Sequence, residues 1–338
     1  MKLVATTEAV GHILCHDMTQ IIPGVSKGPR FRKGHIVTEE DIPVLLSMGK
    51  ENLYVWEQKE GILHENDAAR ILYSLCENSH MTPSEPKEGK IDLTASIDGL
   101  LKIDEARLLR INSLGEMMIA TLPNHIPVKK GEKIAGTRVI PLVIEQEKMD
   151  RAKEAAGKEP LMQILPYVHK KIGIVSTGSE VAKGLIEDAF SPVLKKKLSR
   201  YDTEILPVVY PGDDQKAITK EIKNFLEQGC NLVLCTGGMS VDPDDRTPGA
   251  IKATGAKIIT YGAPVLPGAM FLLSYLDDKV ICGLPGCVMY AKSTIFDLML
   301  PRIMADDRIS REDIAKLGVG GLCRLCDVCT YPNCGFGK

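Results

Sequence analysis

The chain has 338 residues, more than one ordinary hydrophobic core organises, with a formal net charge of −2 and an apolar share of 44%. Near-neutrality excludes electrostatic attraction to nucleic acid as the main basis of binding. No apolar run approaches the ~20 residues needed to cross a bilayer, and "MKLVATTEAVGHILCHD" lacks the apolar stretch of a signal peptide. Cytoplasm is therefore the expected location. In chain order, residues 1–60 read as a small α/β module: "TEEDIPVLLSMG" predicts a helix capped by Thr38 and ended by Gly49, with a strand after it. Residues 61–165 read as a strand-rich module and linker. "HENDAARILYSLCENS" predicts a helix, "MTPSEPKEGK" a connector and "GEMMIATLPNHIPVKKGEKIAGTRVIPLVIE" several strands. "EQEKMDRAKEAAGKEPL" reads as a solvated helix or linker.

From Lys171 the pattern changes to strand and helix in alternation. "KIGIVST", "TEILPVVYP", "NLVLCTGG", "AKIITYG", "AMFLLSYL" and "KVICGLPG" are strand-like runs. "DDQKAITKEIKNFLEQG" predicts a helix with Ile218, Ile222, Phe225 and Leu226 on one face, and "CVMYAKSTIFDLMLPRI" predicts one long closing helix. Such alternation predicts an α/β fold, a mostly parallel sheet covered on both faces, preceded by one or two small α/β or β modules. Loops at the carboxyl ends of its strands then share one edge, where ligands bind. "TGSE" at 177–180, "TGGMSVDPDD" at 236–245 and "GLPGC" at 283–287 are expected to meet there.

Gly237 and Gly238 allow close backbone approach to an oxyanion. The chain has no Walker lysine here and no GxGxxG, which removes the common nucleotide-binding readings. Asp245 and Glu180 are acidic groups suited to Mg²⁺ beside a ligand phosphate, and Arg246 suits an anion. The run "PDD" before "RTPGAI" reads equally as a helix N-cap. Ten cysteines include four in the last sixteen residues, in "CRLCDVCTYPNCGFGK". Their C-x₂-C-x₂-C-x₄-C spacing predicts an iron–sulfur cluster or Zn²⁺ held by Cys323, Cys326, Cys329 and Cys334. In this Cys-rich metal-binding tail, 306–338, the cysteines follow "REDIAKLGVGG", whose glycines allow them to swing.

The motifs "GIVSTGSEV", "LVLCTGGMSVDPDDRTPGAI", "APVLPGAM" and "VICGLPGCVMYAKSTIFDLMLPRI" resemble, in order and spacing, the molybdopterin-binding domain shared by molybdopterin adenylyltransferases and molybdenumtransferases. The resemblance places this domain at 166–305. It implies a three-layer α/β/α sandwich and a role in molybdenum cofactor biosynthesis, with molybdopterin or adenylated molybdopterin and molybdate as substrates, Mg²⁺ as helper and a homo-oligomeric state. It carries the catalytic roles onto Asp245 and Glu180. Cofactor binding falls on Thr177, Gly178, Ser179, Thr236, Gly237, Gly238, Ser240, Asp242, Arg246, Thr247, Pro267, Gly268, Gly283, Pro285, Gly286 and Cys287. Departures from the pattern are Ala269 for a lysine, and Cys287 and Val288 for Asn-Pro; a helix N-terminus at Cys287 would lower its thiol pKa. The molybdenumtransferases' C-terminal β-domain has no counterpart in these motifs. The transferase reading therefore stands beside a second one, a non-catalytic cofactor chaperone or sensor docking to a molybdoenzyme through its tail.

Overall fold

In the computed structural model, which describes residues 2–22, 26–55, 60–240 and 245–338, the chain forms two units. One comprises Met1–Ala95, Ile103–Leu122 and Glu132–Gln163, the other Ser96–Lys102, Pro123–Gly131 and Ile164–Lys338. In the first, strand Lys2–Ala5 pairs antiparallel with Asn52–Val55 over a core that includes Leu14, Val37, Leu45 and Leu53. Thr38 is not the cap expected of it. Its N–H and its hydroxyl both donate to Asp41 Oδ2 at 2.8 Å, and the helix runs Asp41–Ser47 after Glu40. Farther along the same unit lies an antiparallel sheet in the order Met81–Pro83, Lys90–Ala95, Lys133–Val139, Met117–Thr121. Helix Gln146–Ala156 buries Met149, Ala152 and Ala156. It is a core element, not a solvated linker, because its small apolar residues recur at helical spacing.

The second unit is built on six strands. In chain order the strands of this sheet and its principal helices are β1 (Lys170–Ser176), α1 (Phe190–Leu198), β2 (Thr203–Ile205), α2 (Gln215–Glu227), β3 (Leu232–Thr236), α3 (Thr247–Ala253), β4 (Lys257–Tyr261), β5 (Leu272–Leu276), β6 (Lys279–Leu284) and α4 (Ile295–Met304). The sheet order is β2-β1-β3-β6-β5-β4. The first three pairings are parallel and the last two antiparallel.

Successive side chains along a strand point to opposite faces, and here each face builds its own core. Ile172, Ile174, Leu232, Leu234, Val280 and Cys282 pack with Leu194 and Leu198 of α1 and with Phe296, Met299 and Ile303 of α4. The alternate residues Val175, Val233, Cys235 and Ile281 pack with Ile218, Ile222 and Phe225 of α2 and with Ala250 and Ile251 of α3. The result is helix, sheet, helix in three layers. The long closing helix is interrupted: a 3₁₀ turn, Gly286–Met289, is followed by a break before α4. Thr294 takes extended backbone and caps α4 in a reciprocal box with Asp297, so the helix starts afresh there. Among the described residues no helix is long and apolar enough to cross a membrane.

Candidate functional site

Register decides where the glycine turns lie. Ser176 of β1 stands beside Thr236 of β3, which stands beside Leu284 of β6. On the other flank Tyr261, the last residue of β4, pairs with Leu272, which pairs with Gly283. The turns after Ser176, Thr236, Tyr261 and Leu284 thus leave the sheet at one edge, the carboxyl edge of its parallel strands.

Three buried threonines tie these turns together. Thr177 donates to Thr236 O through its N–H (2.8 Å) and its hydroxyl (2.9 Å). The Thr247 hydroxyl donates to Gly237 O at 2.9 Å and lies 3.3 Å from Thr177 Oγ1. Thr236 Oγ1 donates to Ser176 Oγ at 3.4 Å. Expected as cofactor contacts, these hydroxyls bond inside the scaffold, as buried polar groups must. They shape the Gly237-Gly238 backbone. Gly237 has φ +81° and Gly238 φ +54°. A Cβ at Gly237 would stand 2.7 Å from Thr177 O and Oγ1, and one at Gly238 2.9 Å from Thr247 Oγ1. Glycine is required there by conformation and by space.

The other expected site residues divide by accessibility. Glu180, Ser240, Arg246 and Gly286 are exposed, and Gly178, Ser179, Asp245, Pro267 and Cys287 are half-buried. Gly268 is buried against Ile295, and Gly283 lies under Met239. Pro285 is buried, while Gly286 has open space where a side chain would project. Pro267 accepts a hydrogen bond from Ile295 N at 3.2 Å. Asp242 lies outside the described residues. The N-cap residue of α3 is Arg246, without a side-chain cap, so Asp245 is not the capping group that the "PDD" run suggested.

Two contributors at this edge escaped the sequence reading. Asp213 Oδ2 accepts from Ser179 N at 2.7 Å and holds the first turn; its place just before Asp214, the N-cap of α2, was the available signal. Tyr261 donates from its phenol to Met239 O at 3.1 Å. Burial and the nearby Asp245 carboxylate push that phenol's pKa up. A tyrosine ending a strand before Gly262 gives little indication by itself of a role at this edge. Cys287 behaves opposite to expectation. Burial, with the Asp297 carboxylate adding to it, raises its thiol pKa; residues 286–289 form a single 3₁₀ turn and not the start of a long helix.

The C-terminal segment is docked, not swinging. Leu266 N donates to Gly321 O and Cys323 N to Leu266 O, both at 2.8 Å. Tyr331 donates to Asp297 O at 2.9 Å, Phe336 is 4% exposed within the α4 core, and Gly337 N donates to Gly320 O. Cys323 and Cys334 pack half-buried on that core, whereas Cys326 and Cys329 are exposed. Among the described residues no group of three or more His, Cys, Asp or Glu is arranged to hold a metal ion. The four thiols are not gathered as a centre, since docking turns two of them inward and leaves two at the surface. Among the described residues, Asp245 and Glu180 likewise do not form a metal-holding group with a third such residue. Ser293 Oγ lies 3.4 Å from Cys329 Sγ. That hydroxyl and the Tyr331 N–H pull the Cys329 thiol below its ordinary pKa.

Residues 173–305 match the family model "Probable molybdopterin binding domain", and residues 3–57 match a domain of unknown function, DUF8806. A molybdopterin molybdenumtransferase of Synechococcus elongatus is 26% identical over 180 residues, 50% of this chain and 42% of that protein. One from Haemophilus influenzae is 26% identical over 150 residues, 42% of this chain and 37% of its own length. A CinA-like protein of Mycobacterium avium is 31% identical over 80 residues, 24% of this chain and 18% of that protein. The chain thus spans less than half the length of each of these relatives.

Proposed function

With a molybdopterin-binding domain at residues 173–305 as the premise, we propose that the protein binds molybdopterin at the carboxyl edge of the second unit's sheet. There it acts as a molybdopterin molybdenumtransferase-like enzyme of molybdenum cofactor biosynthesis. The observation that carries the reading is the register that sets Ser176, Thr236 and Leu284 side by side. It brings three chain-distant turns to one rim, where the glycine backbone at 237–238 and the open position at Gly286 suit a flat, anionic ligand. Arg246 offers the guanidinium for a phosphate. In the transferase reaction Asp245 is the acidic group beside the ligand, with Glu180 across the edge, and the adenylated pterin and molybdate are its substrates.

The test pairs two variants. Gly286→Leu meets no atom within 4 Å at its Cβ, and no positive φ opposes it. It should fold as the wild type does yet lose molybdopterin binding in a fluorescence titration. Asp245→Asn should bind the pterin and fail to release AMP from adenylated molybdopterin in the presence of molybdate. Undiminished binding by Gly286→Leu sinks the site, and undiminished turnover by Asp245→Asn sinks the catalytic assignment. One feature favours a second reading, a cofactor carrier without turnover: Ala269 stands where the molybdenumtransferase pattern has a lysine. Binding by the wild type with no AMP release would select it.

A further inference from the structure

Helix α2 meets the core through Ile218, Ile222, Phe225 and Leu226, and its outward side carries the exposed Lys216, Lys220 and Lys223. Residues three and four apart are neighbours on a helix surface, so these like charges repel one another. Other helices of the chain pair such neighbours, Arg70 with Asp67, Lys153 with Asp150 and Lys316 with Glu312. Among the described residues none of Lys216, Lys220 and Lys223 stands in an ion pair. Glu221 is close in sequence, but its carboxylate accepts from Asn224 Nδ2 at 3.3 Å. The three ammonium groups open instead onto a groove of about 390 Å³ along α2 and the end of α3. Its floor is fixed by Thr219, whose hydroxyl donates to Gln215 O at 2.8 Å and reaches Ala250 O of α3 at 3.1 Å. A Cβ at Gly249 would stand 3.0 Å from Gln215 Oε1, so the bare backbone there lets the two helices lie close. Ala253, with the smallest of side chains, leaves the other wall low.

We propose that this groove is a second binding site, which takes a small ligand by a chain of phosphate groups, as in a nucleoside triphosphate or an inorganic oligophosphate. Its volume lies within the range of small-ligand sites, about 300–1,000 Å³. From Lys216 to Lys223 the stripe covers two helical turns, ~10 Å, which matches several phosphates in a row better than one. The lining contains lysines and no arginine. Lysine is a compact point charge suited to phosphate, whereas paired recognition of a carboxylate calls for the guanidinium fork. Glu227, the last residue of α2, also borders the groove and repels an anion. It confines the phosphates to the three lysines and leaves its own end to an uncharged part of the ligand. A bound polyanion cancels the repulsion among the ammonium groups. This inference is independent of what the sheet edge binds.

The test is calorimetric titration of the full chain with inorganic tripolyphosphate, in parallel with adenosine triphosphate, orthophosphate and a poly-glutamate peptide. The wild type should bind tripolyphosphate, and more weakly as salt is added, because exposed charges are screened. The double variant Lys220→Gln, Lys223→Gln should melt no lower than the wild type, since it removes like-charge neighbours. It should bind tripolyphosphate about tenfold more weakly or worse. A matched double variant, Lys195→Gln with Lys196→Gln, takes the same charge from exposed positions of α1, on the other face of the sheet. It should bind as the wild type does. Tighter binding of adenosine triphosphate than of tripolyphosphate would identify a nucleotide as the ligand, and equal binding the phosphate chain alone. A wild type that binds neither overturns the proposal. So does an equal loss in the two double variants, or binding of orthophosphate or the peptide as tight as that of tripolyphosphate.

Discussion

Gly237 and His125 show how single residues carry the second unit's constraints. Gly237→Ala places a Cβ 2.7 Å from Thr177 O and Oγ1 at φ +81°. It should cost about 1–3 kcal/mol from backbone strain alone, with the clash adding to it, measured as a lower urea midpoint. His125 faces a dense charge cluster: its Nε2 is 3.6 Å from Asp307 Oδ2, and Asp307 also binds Lys102 at 2.7 Å and Arg302 at 2.5 Å. Burial first, and the Arg302 charge next, lower its pKa to about 4, against the opposing pull of Asp307 and Asp313. The folded imidazole thus resists protonation more than the unfolded one. Stability is complete above the ordinary value near 6.5 and falls as pH drops from there toward 4, by up to about 3 kcal/mol. His125→Gln should flatten that stretch of a plot of melting temperature against pH; an unchanged slope would remove the histidine from the account.

Among elements, the break between residues 289 and 295 has the most consequence. The apolar spacing of "CVMYAKSTIFDLMLPRI" is continuous with one helix, yet Thr294 receives Phe296 N at 3.2 Å and Asp297 Oδ2 receives Thr294 N at 2.8 Å. A good cap box competes with helix continuation, and here it wins. Thr294→Ala should therefore destabilise the unit by about 1 kcal/mol in chemical denaturation. The same break denies Cys287 the start of a long helix, and burial raises its thiol pKa. By contrast the core face of α2 was legible residue by residue, because its buried Ile218, Ile222, Phe225 and Leu226 are set by local spacing.

For the second unit as a whole, the C-terminal segment belongs to the core. Phe336 packs in the same cluster as Leu298, Met299 and Ile303, so Phe336→Ala should cost about 3 kcal/mol or more. Calorimetry on the full chain should show this as a lowered melting temperature; an unchanged one would return the segment to the status of a loose tail. What the sequence by itself determined is the alternation of strand and helix, the two-faced strands and the set of glycine turns. Period, caps and turn chemistry act over a few neighbours, and they survive in any context. Only the tertiary structure decided that Thr177, Thr236 and Thr247 bond one another, that Tyr261 and Asp213 reach the same edge, and that the tail cysteines split between core and surface. Each of those outcomes depends on burial and pairing between residues far apart in the chain, and spacing along the sequence carries no record of them.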